Sequence, residues 1–140
     1  MEKVSLPNTK ETNPIKGRIL MGIFSSSLQK ERKNAVITSL LNAGLEAVTL
    51  GLNVNPFQYI QIMRKFSPHV LILFCQSNTA CIEKLIQTIK EVGMRSRIRI
   101  IIYGSNINEI TRDEVHADAC ANDEQELLDM VNEILSNPSH

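Results

Sequence analysis

Three continuous apolar runs of strand length interrupt the otherwise mixed pattern of the chain: RILMGIF at 18–24, VLILF at 70–74 and IRIIIY at 98–103. Unbroken apolarity is typical of strands that are covered on both faces, as in a parallel sheet. Two weaker runs, LEAVTLG at 45–51 and ADACAN at 117–122, predict strands nearer the edges. The pattern therefore predicts five strands, with the three strong runs at the centre of the sheet.

Amphipathic helices are predicted between and after these strands. Apolar residues recur at intervals of three and four positions, which places them on one face of a helix. Three such stripes are Tyr59, Ile62, Met63 and Phe66; Ile82, Leu85, Ile86 and Ile89; and Leu127, Val131, Ile134 and Leu135. A further helix is predicted over AVITSLLNAG at 35–44 and a short one near 107–115. Regular alternation of strands and helices predicts an α/β fold, a three-layer αβα sandwich around a five-stranded parallel sheet of the flavodoxin-like or Rossmann-like kind.

Several residues predict where helices begin and end. Gly44 and Gly93 follow the first and third helices, where a left-handed residue is favoured. Pro56 suits the first turn of the second helix. Asp123, with Glu126 three residues later, resembles a capping box at the start of the last helix.

The N-terminal segment differs from the rest of the chain. Residues 1–16 are polar, contain Pro7 and Pro14, and show no periodicity, so they predict a flexible arm. Residues 17–137 predict a single α/β domain, which suits a chain of 140 residues.

Composition narrows the possible partners. The formal net charge is zero, which gives no electrostatic basis for binding nucleic acid or an anionic membrane. The chain has two tyrosines, four phenylalanines and no tryptophan, so platforms for stacking bases are not expected. No apolar run approaches the roughly 20 residues of a membrane span, and no signal-peptide core is present. A cytoplasmic location is therefore expected, with three cysteines present as reduced thiols.

Ligands of open parallel sheets bind beyond the carboxyl ends of the strands, so those ends are the place to look for chemistry. The predicted rim holds small hydroxyl and amide side chains, such as those of SSSLQKERKN at 25–34, and no histidine. No GxGxxG or P-loop motif is present. His69 and His116 precede strands and belong to the opposite edge. No catalytic residue and no metal site are predicted.

Cys75 has two interpretations. A position at a strand end, before a helix N-terminus, could lower its pKa and make the thiol reactive. Alternatively, it is a buried, inert side chain that packs as a small hydrophobe.

The ordered series of segments resembles the cobalamin-binding domain family from about Lys16 to Leu135. KGRILMGIF resembles the family's opening strand, and IRIIIYGSN resembles its fourth strand with a double-glycine turn. HADACANDEQE resembles the segment that leads into its last helix. The resemblance implies the strand order 2-1-3-4-5 and a corrinoid site at the carboxyl edge.

The family's Asp-x-His-x-x-Gly loop is altered here. The resemblance places Ser27 at the aspartate, Gln29 at the cobalt-ligating histidine and Arg32 at the glycine. It also places Phe74 at the serine of the third strand and Tyr103 at the first glycine of the double-glycine turn. A glutamine amide is a poor cobalt ligand, because its nitrogen lone pair is delocalised into the carbonyl. The side chains of Arg32, Phe74 and Tyr103 add volume where, by this resemblance, the nucleotide tail of the cofactor would lie.

The resemblance therefore implies a degenerate cofactor pocket. Its expected residues are Ser27, Gln29, Arg32, Phe74, Gln76, Tyr103, Gly104, Ser105 and Asn122. The first hypothesis is a non-catalytic regulatory or protein-interaction module without a cofactor. The alternatives are a sensor or carrier that binds cobalamin or another tetrapyrrole without the lower histidine, and the small subunit of a corrinoid-dependent enzyme. A second protein domain, or a second copy of this chain, is expected to cover the carboxyl ends of the strands.

Overall fold

Six strands and five helices make up the part of the chain that the structure, a computed structural model, describes: residues 2–4, 17–24, 30–51, 54–75, 80–104 and 107–136. The strands are β1 (Glu2–Val4), β2 (Gly17–Ile23), β3 (Leu45–Leu50), β4 (Val70–Phe74), β5 (Arg99–Tyr103) and β6 (Ala119–Ala121). The helices are α1 (Lys30–Asn42), α2 (Pro56–Phe66), α3 (Ala80–Glu91), α4 (Glu109–Val115) and α5 (Glu124–Ser136), and a 3₁₀ turn spans Arg95–Arg97.

The sheet has the order β1-β3-β2-β4-β5-β6. Strands β2 to β6 pair in parallel. Counted over these five strands, the order is 2-1-3-4-5, so the predicted flavodoxin-like fold is confirmed. The three strong apolar runs, β2, β4 and β5, lie inside the sheet, as unbroken apolarity predicted.

Side chains of the strands alternate between two cores. On one face Ile19, Ile72 and Ile101 pack against α1 and α5. On the other face Leu20, Leu71 and Ile100 pack against α2, α3 and the end of α4. Because both faces are buried, the sandwich has three layers, and the two faces of its carboxyl edge carry different side chains.

Local signals set the ends of the helices. Gly44 and Gly93 adopt φ values of 87° and 81°, the left-handed conformation that was predicted. Asp123 accepts a hydrogen bond from the Glu126 N–H at 2.8 Å, but the Glu126 carboxylate accepts from the N–H of Asn122. The predicted capping pair is therefore only half formed.

A complete capping box lies instead at the start of α2. The Asn55 side chain accepts a hydrogen bond from the Gln58 N–H, and the Gln58 side chain accepts one from the Asn55 N–H, each at 3.0 Å. Pro56 follows in the first turn, where its missing N–H costs nothing. This arrangement fixes the connection from β3 to α2 at the carboxyl edge.

Strand β1 is a correction to the sequence prediction. Glu2–Val4 pairs antiparallel with β3, with Lys3 opposite Val48, and adds a sixth strand at the edge of the sheet. Three residues are too few to show a periodic pattern in the sequence, and the pairing depends on backbone groups at the outer edge of β3. Residues 5–16 lie outside the described residues, and the boundaries of the predicted arm and domain stay predictions.

None of the described helices is long and apolar enough to cross a bilayer.

Candidate functional site

An edge-to-face aromatic pair lies at the carboxyl ends of β4 and β5, two neighbouring inner strands. Phe74 and Tyr103 are register partners in β4 and β5, with ring centroids 5.2 Å apart and planes at 79°. Their side chains are 0% and 2% exposed and belong to the core on the α1 and α5 face. The space above these strand ends on that face is therefore filled by two rings.

The backbones of the turns after β4 and β5 approach each other at Gly104. The Cys75 N–H donates to the Tyr103 carbonyl at 2.9 Å, and the Gly104 N–H donates to the Ala121 carbonyl at 3.1 Å. A Cβ atom at Gly104 would overlap with the carbonyl oxygen of Cys75. A residue without a side chain is therefore required at this position.

Asn122 closes the turn after β5. Its amide nitrogen donates to the carbonyl of Gly104 at 2.9 Å and to the carbonyl of Ile107 at 2.6 Å. Both amide hydrogens are thus used to hold the backbone on either side of residues 105–106. The amide that was predicted to contact a cofactor positions the connection from β5 to α4.

The remaining predicted pocket residues are not all described. Ser27, Gln29, Gln76 and Ser105 lie outside the described residues. Arg32 lies in the first turn of α1, at the carboxyl edge of the sheet. Of the nine predicted residues, the structure brings together Phe74 with Tyr103 and Gly104 with Asn122.

A groove of about 410 Å³ opens at the same edge but on the opposite face of the sheet, between α2 and α3. Its lining residues are Ile23, Phe24, Gly51, Val54, Asn55, Pro56, Tyr59, Cys81, Lys84 and Leu85. Phe24 stacks on Tyr59, with centroids 5.9 Å apart. The Tyr59 hydroxyl is buried without a hydrogen-bond partner among the described residues, and burial raises its pKa. Sequence analysis assigned Tyr59 only to the core.

Two large apolar side chains are exposed in the first turns of helices that begin at the carboxyl edge. Phe57, in the first turn of α2, is 69% exposed, and Ile110, in the first turn of α4, is 68% exposed. Both helices begin at the carboxyl edge of the sheet, so both side chains are open to solvent near that edge. Helical periodicity could not find them, because neither residue belongs to an apolar stripe.

Cys75 is fully buried, and burial raises its pKa. Desolvation of the thiolate by burial favours the neutral thiol and gives no support to the reactive interpretation. The packed, inert interpretation agrees with its place in the core on the α2 and α3 face.

We expect the thiols of Cys81 and Cys75 to react at different rates. In the folded protein Cys81, which is exposed, should react with an aromatic disulfide reagent first, and Cys75 only when the protein unfolds. Labelling at pH 8, followed by peptide mass mapping, tests this order. A Cys81→Ser variant should lose the fast phase. Modification of Cys75 as fast as Cys81 in the folded protein would contradict its assignment as a core side chain.

The two described histidines lie away from the rim. His69 lies directly before β4, and His116 is the C-cap of α4 in the connection to β6, so both are at the amino edge, as predicted. Within the described ranges no group of three or more histidine, cysteine or acidic side chains could hold a metal ion.

Comparison with known proteins identifies relatives among corrinoid proteins. The chain is 21% identical over 122 residues to a corrinoid protein of Desulfitobacterium hafniense, which covers 86% of this chain. It is 24% identical over 135 residues to dimethylamine corrinoid protein 2 of Methanosarcina acetivorans, which covers 95% of this chain. The chain spans 56% and 62% of the length of these two relatives. No family model matches the chain.

Solved structures with the same fold include cobalamin proteins. A cobalamin-binding protein from D. hafniense superimposes with a TM-score of 0.78 at 20% identity, covering 86% of this chain and 59% of that chain. The methanol:cobalamin methyltransferase complex MtaBC from Methanosarcina barkeri superimposes with a TM-score of 0.76 at 17% identity, covering 92% and 50%. The signal receiver domain of NarL from Mycobacterium tuberculosis has a TM-score of 0.65 at 12% identity, covering 88% and 98%.

Strand order and the position of the rim define a flavodoxin-like α/β domain, a fold that carries several unrelated functions. The sequence relatives named above are corrinoid proteins, whereas the receiver domain of NarL shares the fold at 12% identity. The chain is similar in sequence to corrinoid proteins and in fold to cobalamin-binding proteins, so the resemblance predicted from its sequence is confirmed.

Proposed function

We propose that this chain is a non-catalytic regulatory or protein-interaction module, built on a cobalamin-binding type of fold, that does not ligate cobalt. The aromatic pair of Phe74 and Tyr103 carries the proposal. The resemblance places the nucleotide tail of a corrinoid above these two strand ends, where the buried rings now lie 5.2 Å apart. The residues present do not fit a tail in that place, because two close-packed rings leave no gap between them.

The loop between β2 and α1 supports the same proposal through its sequence. Ser27, Gln29 and Arg32 replace the three residues that define the family motif. Gln29 offers a carbonyl oxygen and a nitrogen without a free lone pair, in place of an imidazole. Neither described histidine is at this edge.

A partner protein is the second part of the proposal. The exposed side chains of Phe57 and Ile110 lie on two helices that begin at the carboxyl edge. Phe57 directly follows Pro56, which lines the groove between α2 and α3. Aromatic and apolar side chains of this kind form the buried centre of protein interfaces. We place a second protein domain on this edge, with Phe57 as its main contact.

Binding of a corrinoid or another tetrapyrrole is the second candidate function. The observation that favours it is that the sequence relatives are named as corrinoid proteins, one of them as a dimethylamine corrinoid protein. Such binding would have to proceed without a histidine ligand from the loop at residues 25–29. Activity as the small subunit of a corrinoid-dependent enzyme is a further possibility within this candidate.

Incubation with hydroxocobalamin separates the two candidates. We expect the protein to emerge colourless from gel filtration and the visible spectrum of the cofactor to stay unchanged, because neither described histidine lies at the rim. A Cys81→Ser variant serves as control, since the exposed thiol of Cys81 could attack the cobalt slowly. A stoichiometric coloured complex of this variant would overturn the first proposal and support the second.

A further inference from the structure

The amino edge of the sheet, opposite the rim, contains a second concave site. A pocket of about 310 Å³ lies there between the connection from α2 to β4 and the connection from α3 to β5. Its lining residues are Arg18, Met63, Arg64, Ser67, Pro68, His69, Met94, Arg97 and Ile98. Three arginines and a histidine therefore surround one small volume, and no acidic residue lines it among the described residues.

Arg18 is held in place at this pocket. Its side-chain Nε donates to the Ser67 carbonyl at 3.0 Å, which fixes the orientation of the guanidinium. Its backbone N–H donates to His69 Nδ1 at 3.0 Å, and its carbonyl accepts from the His69 N–H at 2.8 Å. A guanidinium fork oriented in this way is suited to bidentate binding of an anion.

His69 contributes a donor rather than a charge. Because Nδ1 accepts a hydrogen bond, Nε2 carries the proton of the neutral ring. Burial, and then the nearby charge of Arg18, lower the pKa of His69 and so favour that neutral form near pH 7. Its Nε2–H adds a hydrogen-bond donor to the cations around the pocket.

Other arginines near this pocket are neutralised by a carboxylate, in contrast to those that line it. Arg95 and Arg99 both form ion pairs with Asp118, at 3.1 and 3.8 Å. Arg97 lies between them in the chain and, like Arg64, forms no ion pair within the described part of the protein. At the amino edge, Arg95 and Arg99 therefore pair with a carboxylate, whereas Arg64 and Arg97 line the pocket.

The floor of the pocket is apolar. Met63 and Ile98 are 2% and 4% exposed, and Met94 is half-buried beside them. The volume is several times that of a phosphate ion, so the pocket has room for a charged group at the arginines and for an organic group on the floor. Its small size and concave shape suit a small molecule and not an extended nucleic acid.

From this arrangement we propose a second binding site, at the amino edge of the sheet, for a phosphate monoester of a small organic molecule. Arg18, Arg64 and Arg97 bind the phosphate dianion, His69 donates a hydrogen bond to it, and the methionines and Ile98 contact the organic part. The site is on the opposite edge from Phe74 and Tyr103, so it is independent of the proposed function of the rim.

Calorimetric titration with glycerol 3-phosphate and, separately, with inorganic phosphate tests the site. We expect saturable binding of both at low ionic strength, tighter for the ester, and weakening as salt is added. An Arg64→Gln/Arg97→Gln variant should bind glycerol 3-phosphate at least tenfold more weakly, because two charge-assisted contacts are lost. Both side chains are exposed, so the fold should be unchanged by circular dichroism.

A Lys65→Gln/Lys90→Gln variant is the matched control. It also removes two exposed positive charges near the C-terminal ends of α2 and α3, from residues that do not line the pocket. We expect its affinity to stay within about twofold of the unaltered protein. Equal loss in both variants, or no saturation by either ligand, would overturn the site. Binding of phosphate as tight as that of the ester would overturn the part assigned to the organic group.

Discussion

Replacement of Gly104 by alanine is expected to lower the free energy of unfolding by about 3 kcal/mol, at the upper end of the range for overpacking. The new Cβ would overlap with the carbonyl oxygen of Cys75, which is a backbone atom and cannot rotate away. Relief of the overlap would separate the turns after β4 and β5 and strain two hydrogen bonds, from Cys75 N–H to Tyr103 and from Gly104 N–H to Ala121. Denaturant unfolding followed by circular dichroism measures the change.

Gly51→Ala is the matched control at the same edge of the sheet. A Cβ at Gly51 would have no atom within 4 Å, so we expect a change of no more than about 0.5 kcal/mol. If Gly104→Ala were as well tolerated as Gly51→Ala, the close approach of the two turns would be wrong.

We expect a gain of cobalamin binding only when both the loop and the aromatic pair are altered. Ser27→Asp, Gln29→His and Arg32→Gly together should leave the protein colourless after gel filtration with hydroxocobalamin. The resemblance gives the new histidine its role as ligand and the new aspartate its role in orienting that histidine. The rings of Phe74 and Tyr103 would still fill the space above the strand ends.

Adding Phe74→Ser and Tyr103→Gly to these three changes should produce a coloured complex. Both rings are buried, and loss of a buried phenylalanine costs about 3–5 kcal/mol of stability, so folding is to be verified by circular dichroism before the assay. The Phe74→Ser/Tyr103→Gly variant with the original loop is the control and should remain colourless. Binding by the three-site variant would show that the rings do not obstruct the tail. A folded five-site variant that stays colourless would contradict the assignment of Phe74 and Tyr103 to the tail site.

The fold could be predicted from the sequence because its signals are local. Apolar runs such as 70–74 and 98–103 are continuous only where a strand is covered on both faces, and helical stripes such as that of Ile82 to Ile89 repeat with the period of the helix. Strand β1 escaped prediction because its pairing depends on free backbone groups of β3, which leave no mark on the sequence of residues 2–4.

The candidate site could be predicted only in part. A resemblance placed Phe74 and Tyr103 in one pocket, but their edge-to-face contact required the register of β4 with β5. Asn122 was expected to contact a ligand, yet its amide is used by the carbonyls of Gly104 and Ile107, which are 18 and 15 residues away in the chain. Hydrogen bonds over such separations depend on the path of the backbone.

The sequence by itself determined the alternation of strands and helices, the central position of the three apolar strands, and the absence of the Asp-x-His-x-x-Gly motif, because each depends on residue type and spacing alone. Only the tertiary structure decided what fills the rim and what surrounds the pocket at the amino edge. Arg18, Arg64 and Arg97 belong to a strand, a helix and a turn that are far apart in the chain. They meet because parallel strands return the chain to the same edge of the sheet after each helix.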